Sequence, residues 1–260
     1  MRIALGIAYQ GSAYSGWQIQ KNQATIQGHV EFALSQIANH SVNTICAGRT
    51  DAGVHATGQT IHFDTHSQRL SNDWITGSNR FLPKDISVCW VKQVDSSFHA
   101  RFTALAREYK YIICNQTVRP ALHHLHTIWE SRPLDEGLMA EAAHHLLGTH
   151  DFTSFRASGC QAHSAIRTLY SADVIRNQNF IIITIKANAF LYHMVRNIVG
   201  VLMAIGRKEK PPSWVQDLLQ AQDRRIAAVK VPASGLYFTK VDYPPMYNLP
   251  YFPQAISLFI

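Results

Sequence analysis

One stretch of the chain combines residue types that could do chemistry. Ala47-Gly48-Arg49-Thr50-Asp51-Ala52-Gly53-Val54-His55-Ala56-Thr57-Gly58-Gln59 sets a single carboxylate among three glycines. Glycines this dense mark a loop in which backbones approach closely or φ turns positive. Arg49 stands two positions before Asp51, and His55 four after it. A nearby guanidinium favours the ionised carboxylate, the form that a nucleophile or general base requires. Loop carboxylates also serve as Asx-type turns that bond only their own backbone, and spacing leaves both readings open.

The familiar catalytic patterns are missing. No G-x-S-x-G, H-E-x-x-H or G-K-[ST] occurs, and no G-x-G-x-x-G opens a helix, which removes support for serine hydrolases, zinc proteases, P-loop NTPases and dinucleotide sites. A two-carboxylate glycosidase needs a partner acid. Asp64, Asp73 and Asp85 are available, but none has a comparable glycine setting. Cys46, Cys89, Cys114 and Cys160 include no C-x-x-C pair, so they read as free thiols of a reducing compartment. His123-His124-Leu125-His126 and His144-His145 have no neighbouring carboxylate or Cys to complete a metal shell, so no metal site is expected. Tyr109 and Tyr111 share a strand face with Arg107, as core aromatics do or as a binding surface would. Arg196 points roughly away from the apolar stripe of its helix, toward solvent or toward a phosphate.

The elements that position these residues follow from periodicity. Ile3, Leu5, Ile7 and Tyr9 alternate as a half-buried strand, and Ile26, Val30, Leu34 and Ile37 recur at helical spacing behind a Thr25 cap. Strands over 42–47 and 59–64 come next, then a helix capped by Ser71 and a strand through Ile86, Val88 and Trp90. The second half repeats the order. A strand carries Arg107, Tyr109, Tyr111 and Ile113, and a helix spans 135–147 with Leu138, Ala142 and Leu146 in its stripe. Strands over 169–176 and 180–186 meet at a turn, Asn177-Gln178-Asn179. A helix over 190–206, a short one from Ser213 and a strand over 236–241 close the chain. Each half reads β-α-β-β-α-β, the ferredoxin-like order also used by RNA-recognition domains. The expectation is an α+β protein with domains 1–104 and 105–260, the first carrying the Asp51 loop, and a cleft where two sheets meet.

Composition narrows the partners. The 260 residues are 47% hydrophobic and 16% charged, enough apolar matter for a folded core. The longest uncharged apolar run, from Ile198 to Ile205, falls far short of the ~18–20 residues that span a bilayer. The opening residues turn polar too early for a signal peptide, so neither a membrane protein nor a secreted one is expected. A net charge of +7 makes a polyanion, nucleic acid first, the natural partner. Lys84, Arg156, Arg207 and Lys208 are candidate phosphate contacts.

The glycine-rich loop then carries a resemblance. Gly48-Arg49-Thr50-Asp51-Ala52-Gly53-Val54-His55-Ala56 resembles the signature of the tRNA pseudouridine synthase A family. Further segments agree in order: Tyr9-Gln10-Gly11 with Gly16-Trp17-Gln18, Phe98-His99-Ala100-Arg101-Phe102, Ala106-Arg107-Glu108-Tyr109-Lys110-Tyr111, Asp151-Phe152-Thr153-Ser154-Phe155-Arg156, His193-Met194-Val195-Arg196-Asn197-Ile198-Val199-Gly200 and Gly235-Leu236-Tyr237. The likeness runs from the first strand to about Asp242. Gln10 stands where the family commonly carries Asp, a difference at a loop contact and not at the reaction.

The resemblance implies a pseudouridine synthase fold, with two βαββαβ halves, a central mostly antiparallel sheet and an active-site cleft between them. It implies isomerisation of uridine at positions 38, 39 and 40 of the tRNA anticodon stem-loop, in the cytoplasm, by a homodimer with one tRNA across both subunits, without cofactor or metal. Asp51 matches the family's catalytic aspartate and Tyr109 the tyrosine that stacks on the target base. Arg49 matches the loop arginine, Arg196 the basic residue that pairs with the aspartate, and Leu236 an aliphatic residue near the base. An RNA-binding protein that has lost the reaction, and a hydrolase that uses Asp51 as nucleophile and frees the base, are the competing readings.

Overall fold

A computed structural model describes residues 1–227 and 230–250. In chain order the first half forms β1 (Arg2–Tyr9), α1 (Ile26–Ala38), β2 (Ile45–Cys46), β3 (His55–Asp64), α2 (Ser71–Phe81) and β4 (Ile86–Val94). The rest forms β5 (Ala106–Asn115), β6 (Ile128–Glu130), α3 (Glu136–His144), β7 (Gly148–Asp151), β8 (Ile166–Asn177), β9 (Phe180–Ala187), α4 (Met194–Gly206), α5 (Trp214–Ala221) and β10 (Leu236–Asp242). This is the expected α+β class. The chain divides into two compact units, Met1–Leu105 with the stretch that begins at Tyr237, and Ala106–Leu236.

In the first unit β1 lies between β3 and β4 and is antiparallel to both, pairing Leu5 with Ile61 and with Val91. β2 lies antiparallel to β3, and β10 lies parallel to it through Tyr237 and Phe238 opposite His55 and Ala56. β1 was expected to be half-buried, yet it is buried from Ile3 to Tyr9. The cause is size. A Cβ on Gly6 would stand 1.9 Å from Trp90 Nε1, and Ala4 packs with Phe98 and Ala100 in a cluster that Tyr243 and Tyr247 cover. Small residues at alternate positions thus face a second packed layer and not water.

The helix caps hold in one case and shift in the other. Thr25 Oγ1 accepts from the Gly28 N–H at 3.4 Å and starts α1, while Asn39, at φ 55°, ends it. Ser71 is the first residue inside α2, and the Asp73 carboxylate accepts from the Leu70 N–H at 3.1 Å in its place. The strand expected over 42–47 shortens to Ile45–Cys46.

In the second unit the antiparallel order is β5-β9-β8-β7, with Tyr109 opposite Ile185 and Tyr111 opposite Ile183. β6 adds a short parallel edge to β5; neither it nor β7 was visible as periodicity. Asp135 caps α3 by accepting from the Leu138 N–H at 3.2 Å, and the buried stripe runs through Met139, Ala142 and Ala143, not Leu138. α4 begins at Met194 because His193 sits at φ 60°, where a helix cannot pass.

Candidate active site

The Asp51 loop joins β2 to β3 inside the first unit, and its backbone is held at nearly every step. The Ala47 N–H donates to Thr60 O at 2.8 Å. Gln59 Nε2 donates to Gly48 O at 2.7 Å. The Thr50 hydroxyl and the Tyr9 hydroxyl share a hydrogen bond of 2.7 Å, and Thr50 O accepts from the Trp17 N–H at 3.0 Å. The turn at Asp51 closes through the backbone, Val54 N–H to Asp51 O at 3.2 Å, with Gly53 at φ 80°. Glycine alone adopts that φ without strain.

A second loop braces the first from behind. A Cβ on Gly11 would lie 1.9 Å from Val54 O, and one on Gly16, whose φ is 89°, would lie 2.7 Å from Thr50 O. The Gly11 N–H donates to His55 Nδ1 at 3.1 Å, so the neutral imidazole carries its proton on Nε2. His55 is buried and stacks on Tyr237 at 4.7 Å. It anchors the loop. Behind this brace Asp51 is half-buried and Arg49 exposed. Burial pushes the Cys46 thiol up to about 12, so this nearby nucleophile stays protonated and Asp51 is the loop's one acid. Burial likewise drives the Tyr9 hydroxyl far above its ordinary range, which keeps it a neutral partner for Thr50.

The other three predicted residues lie in the second unit. On β5, Tyr111 is fully buried and donates its hydroxyl to Pro232 O at 2.7 Å. It is a core residue. Tyr109, two positions earlier, keeps 9% exposure and meets Phe190 edge-on at 5.0 Å. Arg196 stands in the first turn of α4, half-buried, with Nε donating to Val231 O at 2.8 Å. Burial, with Lys230 and Arg196 adding to it, lowers His193 to about 4, so this histidine is neutral at neutral pH. Leu236 opens β10 and is 5% exposed. Gly235 before it permits the approach to β5, since a Cβ there would stand 2.7 Å from Ile112 O.

Periodicity did not reveal the clamp formed by Tyr9, Thr50 and Gln59; the only hint was that Tyr9 ends a strand just before a glycine. Two of the suggested phosphate contacts have acidic partners within the chain. Arg207 bonds Glu209 at 2.7 Å and Glu130 at 3.3 Å, and Lys208 pairs with Asp135 at 3.4 Å. Lys84 is exposed and Arg156 half-buried. Among the described residues no group of three or more His, Cys, Asp or Glu is placed to hold a metal, and no helix is long and apolar enough to cross a membrane.

Residues 6–103 and 142–244 match the family described as tRNA pseudouridine synthase. The matched residues include Arg49, Asp51, Arg196 and Leu236; Tyr109 lies between the two matched stretches. Tyr109 therefore rests on its own geometry. The chain is 52% identical over 252 residues to the tRNA pseudouridine synthase A of Coxiella burnetii, strain Dugway 5J108-111, covering 97% of both. It is 48% identical over 259 residues to the protein of that name from Nitrosococcus oceani, covering 100% of both, and 50% identical over 255 residues to that of Colwellia psychrerythraea, covering 96% of both. A solved Cbf5-Nop10-Gar1 complex aligns with 90% of this chain and 57% of its own at TM-score 0.35 and 10% identity, too slight a likeness to bear on the fold. With its aspartate loop intact and half its residues shared with these relatives across nearly the whole length, the chain belongs to the tRNA pseudouridine synthase family.

Proposed function

We propose that this protein isomerises uridine to pseudouridine at positions 38, 39 and 40 in the anticodon stem-loop of tRNA, with Asp51 as the nucleophile or base. The observation that carries this is the Asp51 loop, clamped through Gly48 and Thr50, in a chain about half identical to proteins named tRNA pseudouridine synthase A. A uridine in a stem-loop must leave its stack before an enzyme reaches C1′ and C5. Tyr109 replaces the lost stacking, worth ~1–3 kcal/mol per base. Leu236 packs beside the base, Arg49 meets the RNA from the loop, and Arg196 is a substrate-binding residue of the second unit.

Asp51 then cleaves the N1–C1′ bond, either by attacking C1′ or by removing the C2′ proton to give a glycal. The freed uracil turns and its C5 bonds to C1′, which on the first route displaces the Asp51 carboxylate from C1′ and on the second is accompanied by return of the proton from Asp51 to C2′. The C5 proton leaves to solvent and N1 takes one up, so the product is an isomer of the substrate. The chemistry uses no cofactor and no metal. Both fragments must remain trapped until the new bond forms, which requires that water be excluded. The protein works in the cytoplasm as a homodimer, with one tRNA lying across both copies.

The test is tritium release from tRNA labelled at uridine C5, with nucleoside analysis. One tritium should enter water for each pseudouridine formed, and no free uracil should appear. Free uracil would convert the reading to N-glycoside hydrolysis. No release at all, with tRNA still bound, would leave a binding protein.

A further inference from the structure

The second unit contains a cavity of about 660 Å3, within the ~300–1,000 Å3 usual for ligand sites. Neither Tyr109, Arg196 nor Leu236 lines it. Its walls combine Met203 and two indole rings, Trp129 and Trp214, with three cationic side chains, Arg119, Lys210 and Lys230. Trp129 remains 43% exposed although its Nε1–H, donating to Gln116 O at 2.8 Å, fixes the ring. Lys210 Nζ stands 5.5 Å from the centroid of Trp214. The remaining charges cancel, because Arg207 and Glu209 bond each other at 2.7 Å. Arg119, Lys210 and Lys230 are exposed and form no ion pair among the described residues.

The cavity also adjoins Arg196 within the second unit. Arg196, Gly200 and Met203 succeed one another along one face of α4, where residues three or four apart are neighbours, Arg207 follows at the cap of the helix, and the last three line the cavity. Val231, whose carbonyl accepts from Arg196 Nε at 2.8 Å, lines it too. An apolar peptide or acyl chain would fill the floor and leave three cations without a counter-charge. A nucleotide satisfies both, since every base has a face to stack on an indole and a phosphate on either side.

We propose that this cavity is a second RNA subsite, which takes a nucleotide of the substrate tRNA other than the target uridine, its base against Trp129 and Trp214 and its phosphates on Arg119, Lys210 and Lys230. The proposal rests on the reading of the protein as a tRNA-modifying enzyme. It assigns the cavity to grip and not to chemistry, so its loss should appear in KM and leave kcat alone.

Two variants test it on full-length tRNA transcript: Trp129→Ala, and the triple change of Arg119, Lys210 and Lys230 to Ala. Trp129→Ala should raise KM by roughly 5- to 150-fold, the span of one lost base stack, with kcat within about twofold. The triple variant should reduce the slope of log K against log salt by about 2, at ~0.7 per phosphate for single strands. In the wild type, tRNA carrying 4-thiouridine should cross-link under ultraviolet light to peptides containing Trp129 or Trp214. The triple variant changes exposed side chains only, so it stays informative if Trp129→Ala fails to fold. Unchanged KM and salt slope in the triple variant, with no cross-link in this cavity, would overturn the proposal. So would unchanged RNA affinity with a lower sedimentation coefficient, which would assign the cavity to a second copy of the chain. A wild type that forms no pseudouridine would instead fail the proposed function, a distinct result.

Discussion

Gly16→Ala tests whether the second loop sets the position of Asp51. Two costs arise, and the structure supplies a control that separates them. Gly16 sits at φ 89° and Gly159 at φ 82°, so an alanine at either position suffers the same left-handed backbone penalty, ~1–2 kcal/mol. A Cβ on Gly159 meets nothing within 4 Å, whereas one on Gly16 lies 2.7 Å from Thr50 O, 3.0 Å from Asp51 C and 3.1 Å from Ala52 N. The first distance is 0.7 Å inside the 3.4 Å of ordinary contact. The Asp51 loop is itself tied to Tyr9 and Gln59, so relieving the overlap displaces either loop by several tenths of an ångström. Overpacking of this kind costs a further ~1–3 kcal/mol, and a displacement approaching 1 Å at a reacting group costs about 100-fold in rate. Gly159→Ala should therefore lower Tm by a few degrees and leave kcat unchanged, while Gly16→Ala should lower Tm further and reduce kcat by roughly 10- to 100-fold with KM little altered. Thermal unfolding and steady-state pseudouridine formation measure both. A Gly16→Ala enzyme whose kcat matches that of Gly159→Ala would refute the brace.

Tyr9→Phe removes the buried hydroxyl opposite Thr50 Oγ1; denaturant unfolding should show a loss of ~1–3 kcal/mol, and kcat should fall more than KM rises, whereas a drop in stability with kcat intact would make Tyr9 structural only. Tyr109→Phe keeps the stacking ring and Tyr109→Ala does not, so tRNA-dependent turnover should drop far more in the alanine variant; equal, near-normal turnover in both would return Tyr109 to core packing. Burial, aided by Arg2 and His99, lowers His62 to about 4. The unfolded chain takes up that proton near 6.5 and the folded chain only near 4, so the stability it contributes is complete above pH 6.5 and is lost as pH falls toward 4. His62→Gln should flatten the fall of Tm across that window, and an unaltered profile would show that His62 does not govern it.

How much of this was legible from sequence depended on whether the signal was local. α1 was legible because Ile26, Val30 and Leu34 repeat at the helical period and Thr25 sits where a cap belongs. Asp51 stood out because Gly48 and Gly53 flank it within a few residues. The start of α4 was misplaced because Phe190 and Leu191 continue the apolar pattern, while the left-handed backbone of His193 that ends it leaves no mark in residue type. β1 was read as facing water because Ala4, Gly6 and Ala8 look like gaps in a pattern, and only Trp90 and Phe98 from elsewhere show that they are contacts. The clamp joins Tyr9 to Thr50 across 41 positions, and Arg207 finds Glu130 across 77. Periodicity reports which face of an element is apolar. It does not report which distant residue meets that face.

On the proposed mechanism Asp51 performs the reaction and contributes little to tRNA binding. Asp51→Asn, nearly isosteric and neutral, tests it most directly when tritium release and tRNA affinity are measured on the same preparation. Tritium release and pseudouridine formation should disappear while the Kd for tRNA stays within a few fold of wild type, since the loss falls on the transition state. Pseudouridine formation at the wild-type rate in Asp51→Asn would contradict it.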